Sequence, residues 1–369
     1  MTRRHGLQLA VGIIVTLACF AAALWGFDRD DYVEIASSFR RANYLTLPAL
    51  LLLLTVFFWL KAVRWALLLE PVRPENPITA RQSTPSLMIG FMGNNVLPAH
   101  LGDLVRVVVL GRQFGISKSA IFSTVVLERV FDVAAILGIL GWGLATAPDA
   151  PREARQTSYV LAAMLAVGLI GIVVYALKTV WFVRTTEWCL DRTPLVPAGL
   201  KRKAAEMLES GALGMAALRN ARLAFWVTVT SIVQWVLNVV MIQLSFHAFG
   251  IDQPTSVAAI VMGVVAFGVT IPSTPGFFGV IQVAFRIGLA PFGVPPTDAV
   301  ASSVYYQLVT WAAVTAVGLY YLHKTGMKLT QLERVAEESE DVAHTASDHF
   351  REIVKGDSEL REGGSSGNA

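Results

Sequence analysis

The sequence predicts an all-α polytopic membrane protein, with about six transmembrane helices plus two opposed re-entrant helical hairpins in an inverted-repeat-like arrangement. Three observations predict it. Of the 369 residues, 54% are hydrophobic and only 15% charged, the profile of a chain that sits in lipid. Apolar runs of about 20 residues recur, and a helix of that length crosses a hydrocarbon core ~30 Å thick. Two further apolar runs are interrupted by polar, proline- and glycine-rich residues: GFMGNNVLPAHLGDLVRVVVLGR from Gly90 to Arg112, and IPSTPGFFG from Ile271 to Gly279.

The elements follow in order. Span one covers Leu7 to Phe27, and Arg3 and Arg4 place its start in the cytoplasm. The opening MTRRHG resembles a signal peptide, but the apolar run is too long and lacks a small-x-small cleavage site, so an uncleaved span is expected. The loop from Asp28 to Arg41 lies outside. Span two runs from Tyr44 to Leu69, with Lys61 and Arg64 expected to snorkel to the cytoplasmic headgroups. The first hairpin, at about 84–110, follows an inside loop. Its entering arm of ~13 residues reaches only ~20 Å, too short to cross. It therefore turns at Asn94-Asn95 and returns to the cytoplasm at Arg106, Arg112 and Lys118.

Span three, Ala120 to Ala145, carries Glu128, Arg129 and Asp132. Glu128 lies ~15 Å of helix beyond Lys118, close to mid-membrane. Span four covers Ser158 to Leu177. The basic segment 178–222 is cytoplasmic, either as a helix lying at the interface or as a plain connecting helix. Span five is Leu223 to Phe249. The second hairpin, at about 257–291, enters from the outside, and the last span, Ala299 to Tyr321, ends inside. Residues 1–325 thus form one integral membrane domain, and 326–369 an acidic cytoplasmic tail, part solvated helix and part disordered. Short broken segments entering from opposite faces mark an inverted repeat with a site at the midplane. Hydropathy and topology alone carry that repeat.

The polar residues at the breaks are the candidate chemistry. A turn with Asn94, Asn95, Pro98, His100 and Gly102 offers unpaired backbone N–H groups, and half-helix N-termini attract anions. Arg106 adds a permanent charge with bidentate reach to phosphate, next to Asp103. Against this, the turn residues would only satisfy the turn, with Arg106 a cytoplasmic anchor. Charged groups in lipid cost roughly 2.5–3.5 kcal/mol each on insertion scales. Glu128 and Asp132 share one helix face and repel when both are ionised. Either a cation sits between or opposite them, with Arg106 and Arg129 nearest in sequence, or one stays protonated. A structural lock and a coupling or substrate role stand side by side. In the second break, Gly276 carries geometry, while Ser273, Thr274 and Gln282, with Gln307 on the last span, line a cavity. Tyr305 and Tyr306 are expected near its outer wall, with ordinary interfacial aromatics the favoured reading, and Arg286 either snorkels or pairs with a lipid phosphate.

Three blocks carry a family resemblance: NNVLPAHLGDLVRV at 94–107, VVLERVFD at 125–132 and IPSTPGFFGVIQ at 271–282. In order and spacing they resemble the lysylphosphatidylglycerol synthase transmembrane-region family, whose membrane domain is flippase-like. The resemblance implies that an amphiphile with an anionic headgroup, a phospholipid or a polyprenyl-phosphate-linked compound, crosses between leaflets. Asn94, Asn95, Pro98, His100, Gly102, Asp103, Arg106, Ser273, Thr274, Gly276, Gln282 and Gln307 would bind the headgroup, and Glu128, Arg129 and Asp132 form a charge network. His100 stands where the family usually has Arg, Asp103 where it has Glu, and Gln282 where Glu is common. The membrane would be the cytoplasmic membrane of a bacterium or archaeon.

Other classes find little support. No H-E-x-x-H, G-x-S-x-G or P-loop motif occurs, so no catalytic residue is assigned. Two cysteines, Cys19 and Cys189, lack metal-type neighbours, and neither a metal nor a cofactor is expected. A net charge of +3 gives no reason to expect nucleic acid. Two alternatives remain: a membrane subunit of a lipid-modifying enzyme working with a separate transferase, and a secondary transporter of a small anion.

Overall fold

The computed structural model describes residues 17–97, 101–148, 220–270 and 275–327, together with positions 14, 156 and 160. Nine helices of ten or more residues with defined bounds are found among these: α1 (Arg29–Arg41), α2 (Thr46–Leu69), α3 (Ala80–Val96), α4 (Gly102–Phe114), α5 (Lys118–Thr146), α6 (Ala221–Ala248), α7 (Thr255–Gly268), α8 (Val280–Leu289) and α9 (Pro296–Lys324). No strand occurs among the described residues. Most of span one, span four, the segment 178–219 and the tail from 328 lie outside them.

Four stretches are long and apolar enough to cross a membrane: Thr46–Val72, Ala221–Ala248, Pro275–Phe292 and Pro296–Lys324. In the third, Gly276, Phe277 and Gly279 have φ of 79°, 59° and 85°. Its continuous α-helix is therefore α8 alone, ten residues and ~15 Å. The helix α5 is 29 residues long despite its charged centre.

The expected loop from Asp28 to Arg41 is instead a helix, α1. Asp28 accepts from the N–H groups of Asp30 and Asp31, while the Asp31 carboxylate accepts from the Asp28 N–H. This reciprocal cap, worth about 1 kcal/mol, starts a helix whose residues are too polar for a span. Arg286 neither snorkels nor waits for a phosphate. It donates to the carbonyls of Ala22, Ala23 and Trp25, closing the end of the helical turn at 17–23. The two tyrosines are also displaced from the interface: Tyr305 and Tyr306 are buried, hydrogen-bonded to Thr46 and Asn238.

The helix packing repeats itself. Exchanging α2, α3, α4 and α5 for α6, α7, α8 and α9 maps the packed helix pairs onto one another. The pair α3–α4 matches α7–α8, α3–α9 matches α7–α5, and α2–α6 maps onto itself. Both α5 and α9 contain 29 residues. Both breaks share a P-x-x-x-G spacing, Pro98 to Gly102 and Pro275 to Gly279, with the glycine at the start of α4 or α8.

Glycines let the paired helices touch. A Cβ on Gly102 would lie 1.9 Å from the Gly90 carbonyl oxygen, and one on Gly318 would lie 2.2 Å from the Met92 Cβ. Small residues at such crossings bring backbones close and replace the hydrophobic drive that lipid removes. Gly102→Ala is expected to destabilise the fold by about 3 kcal/mol, the upper end of ordinary overpacking. The readout is the thermal midpoint of the detergent-purified protein, and an unchanged midpoint would contradict this crossing.

Candidate functional site

The helices α2, α4, α5 and α6 converge on a buried cluster of charges. From α2, Arg64 places Nη2 2.7 Å from Glu128 Oε1 and Nη1 2.6 Å from Asp132 Oδ1, so one guanidinium bridges both carboxylates of α5. Lys61 Nζ adds contacts of 3.4 Å to Glu128 and 3.7 Å to Asp132. From α4, Arg106 Nη1 donates to Glu128 Oε2 at 2.9 Å. From α6, Ser231 Oγ accepts from Arg64 at 2.9 Å and Trp235 Nε1 donates to Asp132 at 2.9 Å. Arg64, Arg106 and Glu128 are fully buried.

This corrects the expectation for Lys61 and Arg64. Neither snorkels, because each pairs with the buried carboxylates of Glu128 and Asp132. It also answers the repulsion between Glu128 and Asp132, since a cation lies between them. That cation is Arg64, which is distant in sequence, rather than Arg129. Arg129 is half-exposed and turns outward to pair with Asp103. A sequence signal existed: Lys61 and Arg64 are three apart, on the same helix face, and match Glu128 and Asp132 four apart.

Four cations thus face three carboxylates, one positive charge in excess among the described residues. Arg106 holds it incompletely. Its Nε and Nη2 find no hydrogen-bond partner among the described residues, although Nη2 is 3.4 Å from Asp103 Oδ1. Its guanidinium packs over the rings of Trp65 and Phe91, at 5.0 and 5.8 Å, where the ring quadrupoles stabilise a cation.

A second assembly forms where the breaks meet. Asn95, at the end of α3, donates to Thr315 Oγ1 at 3.0 Å and lies 3.4 Å from the Trp311 carbonyl. Gln282 donates to Gln307 Oε1 at 2.6 Å, and Gln307 donates to the Gly276 carbonyl at 2.6 Å. Gln282 Oε1 also accepts from the Gly279 N–H at 2.7 Å. Both glutamines are buried and fully used in holding the second break in shape. Beside them is a cavity of about 230 Å³, lined by Phe91, Asn95, Asn238, Tyr306, Gln307 and Trp311 among others. It shares Leu54, Phe58 and Val314 with an apolar groove of about 490 Å³ between α2, α3 and α9. The groove reaches the surface at Trp59 and Val317, both exposed.

The predicted site residues therefore divide. Asp103 and Arg106 join Glu128, Arg129 and Asp132 in the charge cluster. Asn95, Gly276, Gln282 and Gln307 gather at the cavity. Asn94 is buried with its Oδ1 unpartnered among the described residues, and Gly102 closes the crossing of α3 and α4. Pro98, His100, Ser273 and Thr274 lie outside the described residues. Tyr306 lines the cavity, as one of its two readings expected; Asn238 and Trp311 were not foreseen there, because nothing in sequence distinguishes them from ordinary span residues.

With this geometry in place, the chain can be set among known proteins. It is a membrane protein built of apolar helices around a buried ion cluster. The profile of the family described as "Lysylphosphatidylglycerol synthase TM region" matches residues 8–318, and the chain belongs to that family. Two UPF0104 membrane proteins of Methanothermobacter thermautotrophicus are similar to it. One is 25% identical over 321 residues, covering 81% of this chain and 90% of the relative. The other is 23% identical over 290 residues, covering 76% and 83%. The Glycosyltransferase AglD of Haloferax volcanii is 23% identical over 384 residues, covering 94% of this chain but only 59% of that protein.

Replacing Arg64 with Met leaves Glu128 to Lys61 and Arg106, and Asp132 to Lys61 and Trp235, removes the shortest ion pair of each, and is expected to cost about 3 kcal/mol. The double change R64M/D132L removes one charge of each sign and should recover part of that loss. Thermal midpoints of the single and double variants decide it. A single variant as stable as the natural protein would show that Arg64 does not bridge.

Proposed function

We propose that the protein moves an amphiphile with an anionic headgroup, a phospholipid or a polyprenyl-phosphate-linked compound, between membrane leaflets. The observation that carries this reading is that the cavity of amides and aromatic rings shares Leu54, Phe58 and Val314 with the apolar groove, which reaches the surface at Trp59 and Val317. An amphiphile needs both, so that a headgroup shielded from lipid can move while its tail stays in an apolar setting. A carrier of small soluble anions needs no lateral opening. The excess positive charge around Arg106, which packs over the cavity-lining ring of Phe91, suits a negative headgroup.

The reading includes a topology of about six spans, with two re-entrant hairpins entering from opposite faces and both termini in the cytoplasm. The polar turns of both hairpins then meet in mid-membrane, where irregular backbone is tolerated because protein surrounds it. The name of the Haloferax relative favours a second reading, a membrane portion that serves a lipid-modifying enzyme. Under that reading the cavity presents the lipid to a separate transferase and leaflet exchange is absent.

Reconstitution into liposomes carrying fluorescent anionic phospholipids or polyprenyl phosphates separates the two. The protein should expose inner-leaflet label to an external quencher at least tenfold faster than empty vesicles do. Val317→Trp, which fills the groove without touching the ion cluster, should remove most of that rate. Rates equal to empty vesicles for every lipid would defeat the transport reading. For topology, single cysteines replacing Arg73 and Asp252 should react with impermeant reagents from opposite sides, and reaction from one side would overturn the scheme.

A further inference from the structure

The cavity's chemistry is narrower than that of a general headgroup site. Its lining includes six aromatic side chains, among them Trp311 and Tyr306, and the neutral amides of Asn95, Asn238 and Gln307. No charged side chain lines it among the described residues. The nearest cations stand behind its aromatic wall. Lys61 Nζ is 5.5 Å from the Phe57 ring centre and 5.3 Å from that of Phe91, and Arg106 is 5.8 Å from Phe91. A bare phosphate inside the cavity would meet ring faces and amides with no direct cationic contact. Gln307 is already used in holding the second break, but Asn95 Oδ1 and Asn238 Nδ2 make no hydrogen bond among the described residues, and a hydrocarbon chain would offer them none.

A sugar ring fits both features. Its C–H faces pack flat on aromatic rings, while its hydroxyls donate to and accept from amides and hydroxyls, each of which can do both. At about 230 Å³ the cavity has room for one such ring, with the groove of about 490 Å³ running on from it for an apolar chain. The phosphate joining ring to chain is supplied by the transport reading; it would lie where the two spaces meet, at Leu54 and Phe58.

We propose that the amphiphile handled here is a glycolipid: a single sugar joined through phosphate to a polyprenyl-type chain, with the sugar held between the aromatic rings and amides of this cavity. The inference rests on the transport reading for its context, yet it concerns binding and is tested separately. The full-length protein in micelles is offered an equimolar mixture of a polyprenyl phosphate bearing glucose, the same polyprenyl phosphate without sugar, and phosphatidylglycerol. Native mass spectrometry then reads which lipid is retained. The sugar-bearing lipid should be retained at least tenfold over either competitor. Trp311→Leu should bring that ratio within about twofold. Asn238→Leu, whose side chain only accepts from the Tyr306 hydroxyl, provides a milder second variant with the same expected direction.

Equal retention of all three lipids, or preference for phosphatidylglycerol, overturns the proposal, as does a sugar preference that survives in both variants. These outcomes are distinct from failure of the transport reading. Vesicles that move phosphatidylglycerol with no sugar preference leave transport standing and remove only the glycolipid. A tenfold sugar preference without leaflet exchange keeps the glycolipid and points to presentation to an enzyme.

Discussion

One guanidinium holds the first half of this protein in register. Arg64 bridges Glu128 and Asp132, and through them α2 is tied to α5, α4 joins by Arg106, and α6 by Ser231 and Trp235. Separated, any one of these charges would be costly in lipid; gathered, they satisfy each other. The constraint is mutual. No member can face outward without stranding another, so four helices must arrive with matching faces at one depth.

The second half answers with neutral groups. Its corresponding helices α6, α8 and α9 meet around Asn238, Gln282 and Gln307 rather than around ions, although the same helix pairs pack. An amide pair such as Gln282–Gln307 costs far less to bury than an ion pair, and it leaves neighbouring space free of fixed charge. This asymmetry within a symmetric frame puts a neutral, ring-lined cavity beside a positively biased cluster. The partition between them is only Phe57 and Phe91, which face the cavity on one side and stabilise Lys61 and Arg106 on the other. An amphiphile of mixed chemistry is what such a pair of neighbouring environments can discriminate.

Close approach makes the frame possible. Gly90 and Gly102 between α3 and α4, Gly143 and Gly263 between α5 and α7, and Gly318 between α9 and α3 each occupy places that a Cβ could not. In lipid, where apolar surface gains nothing by leaving one oily setting for another, such contacts carry much of the association between helices. The glycines of the second break act differently. Gly276 and Gly279 supply positive φ, which ends one helical direction and starts α8 in another.

The sequence by itself determined the helical class, the apolar runs that form Thr46–Leu69, Ala221–Ala248 and Pro296–Lys324, and the two breaks. Hydrophobic runs and their interruption by proline and glycine are local properties that lipid reads directly. It also marked Glu128 and Asp132 as needing a cation, because their spacing on one helix is fixed by the helix itself. Tertiary structure alone decided which cation. Arg64 lies 64 residues before Glu128, and a lysine or arginine near a span end obeys the snorkelling rule equally well until a partner appears opposite. The same holds for Tyr306 and Arg286, whose interfacial look gave way to bonds with Asn238 and with the carbonyls of Ala22, Ala23 and Trp25. The amphipathic α1 was legible in the Asp28–Asp31 cap but was outweighed by its polarity. What the cavity selects depends on side chains from α2, α3, α6 and α9 that no spacing connects. Enclosure is a property of the assembled helices, and only their packing turned scattered aromatics and amides into one wall.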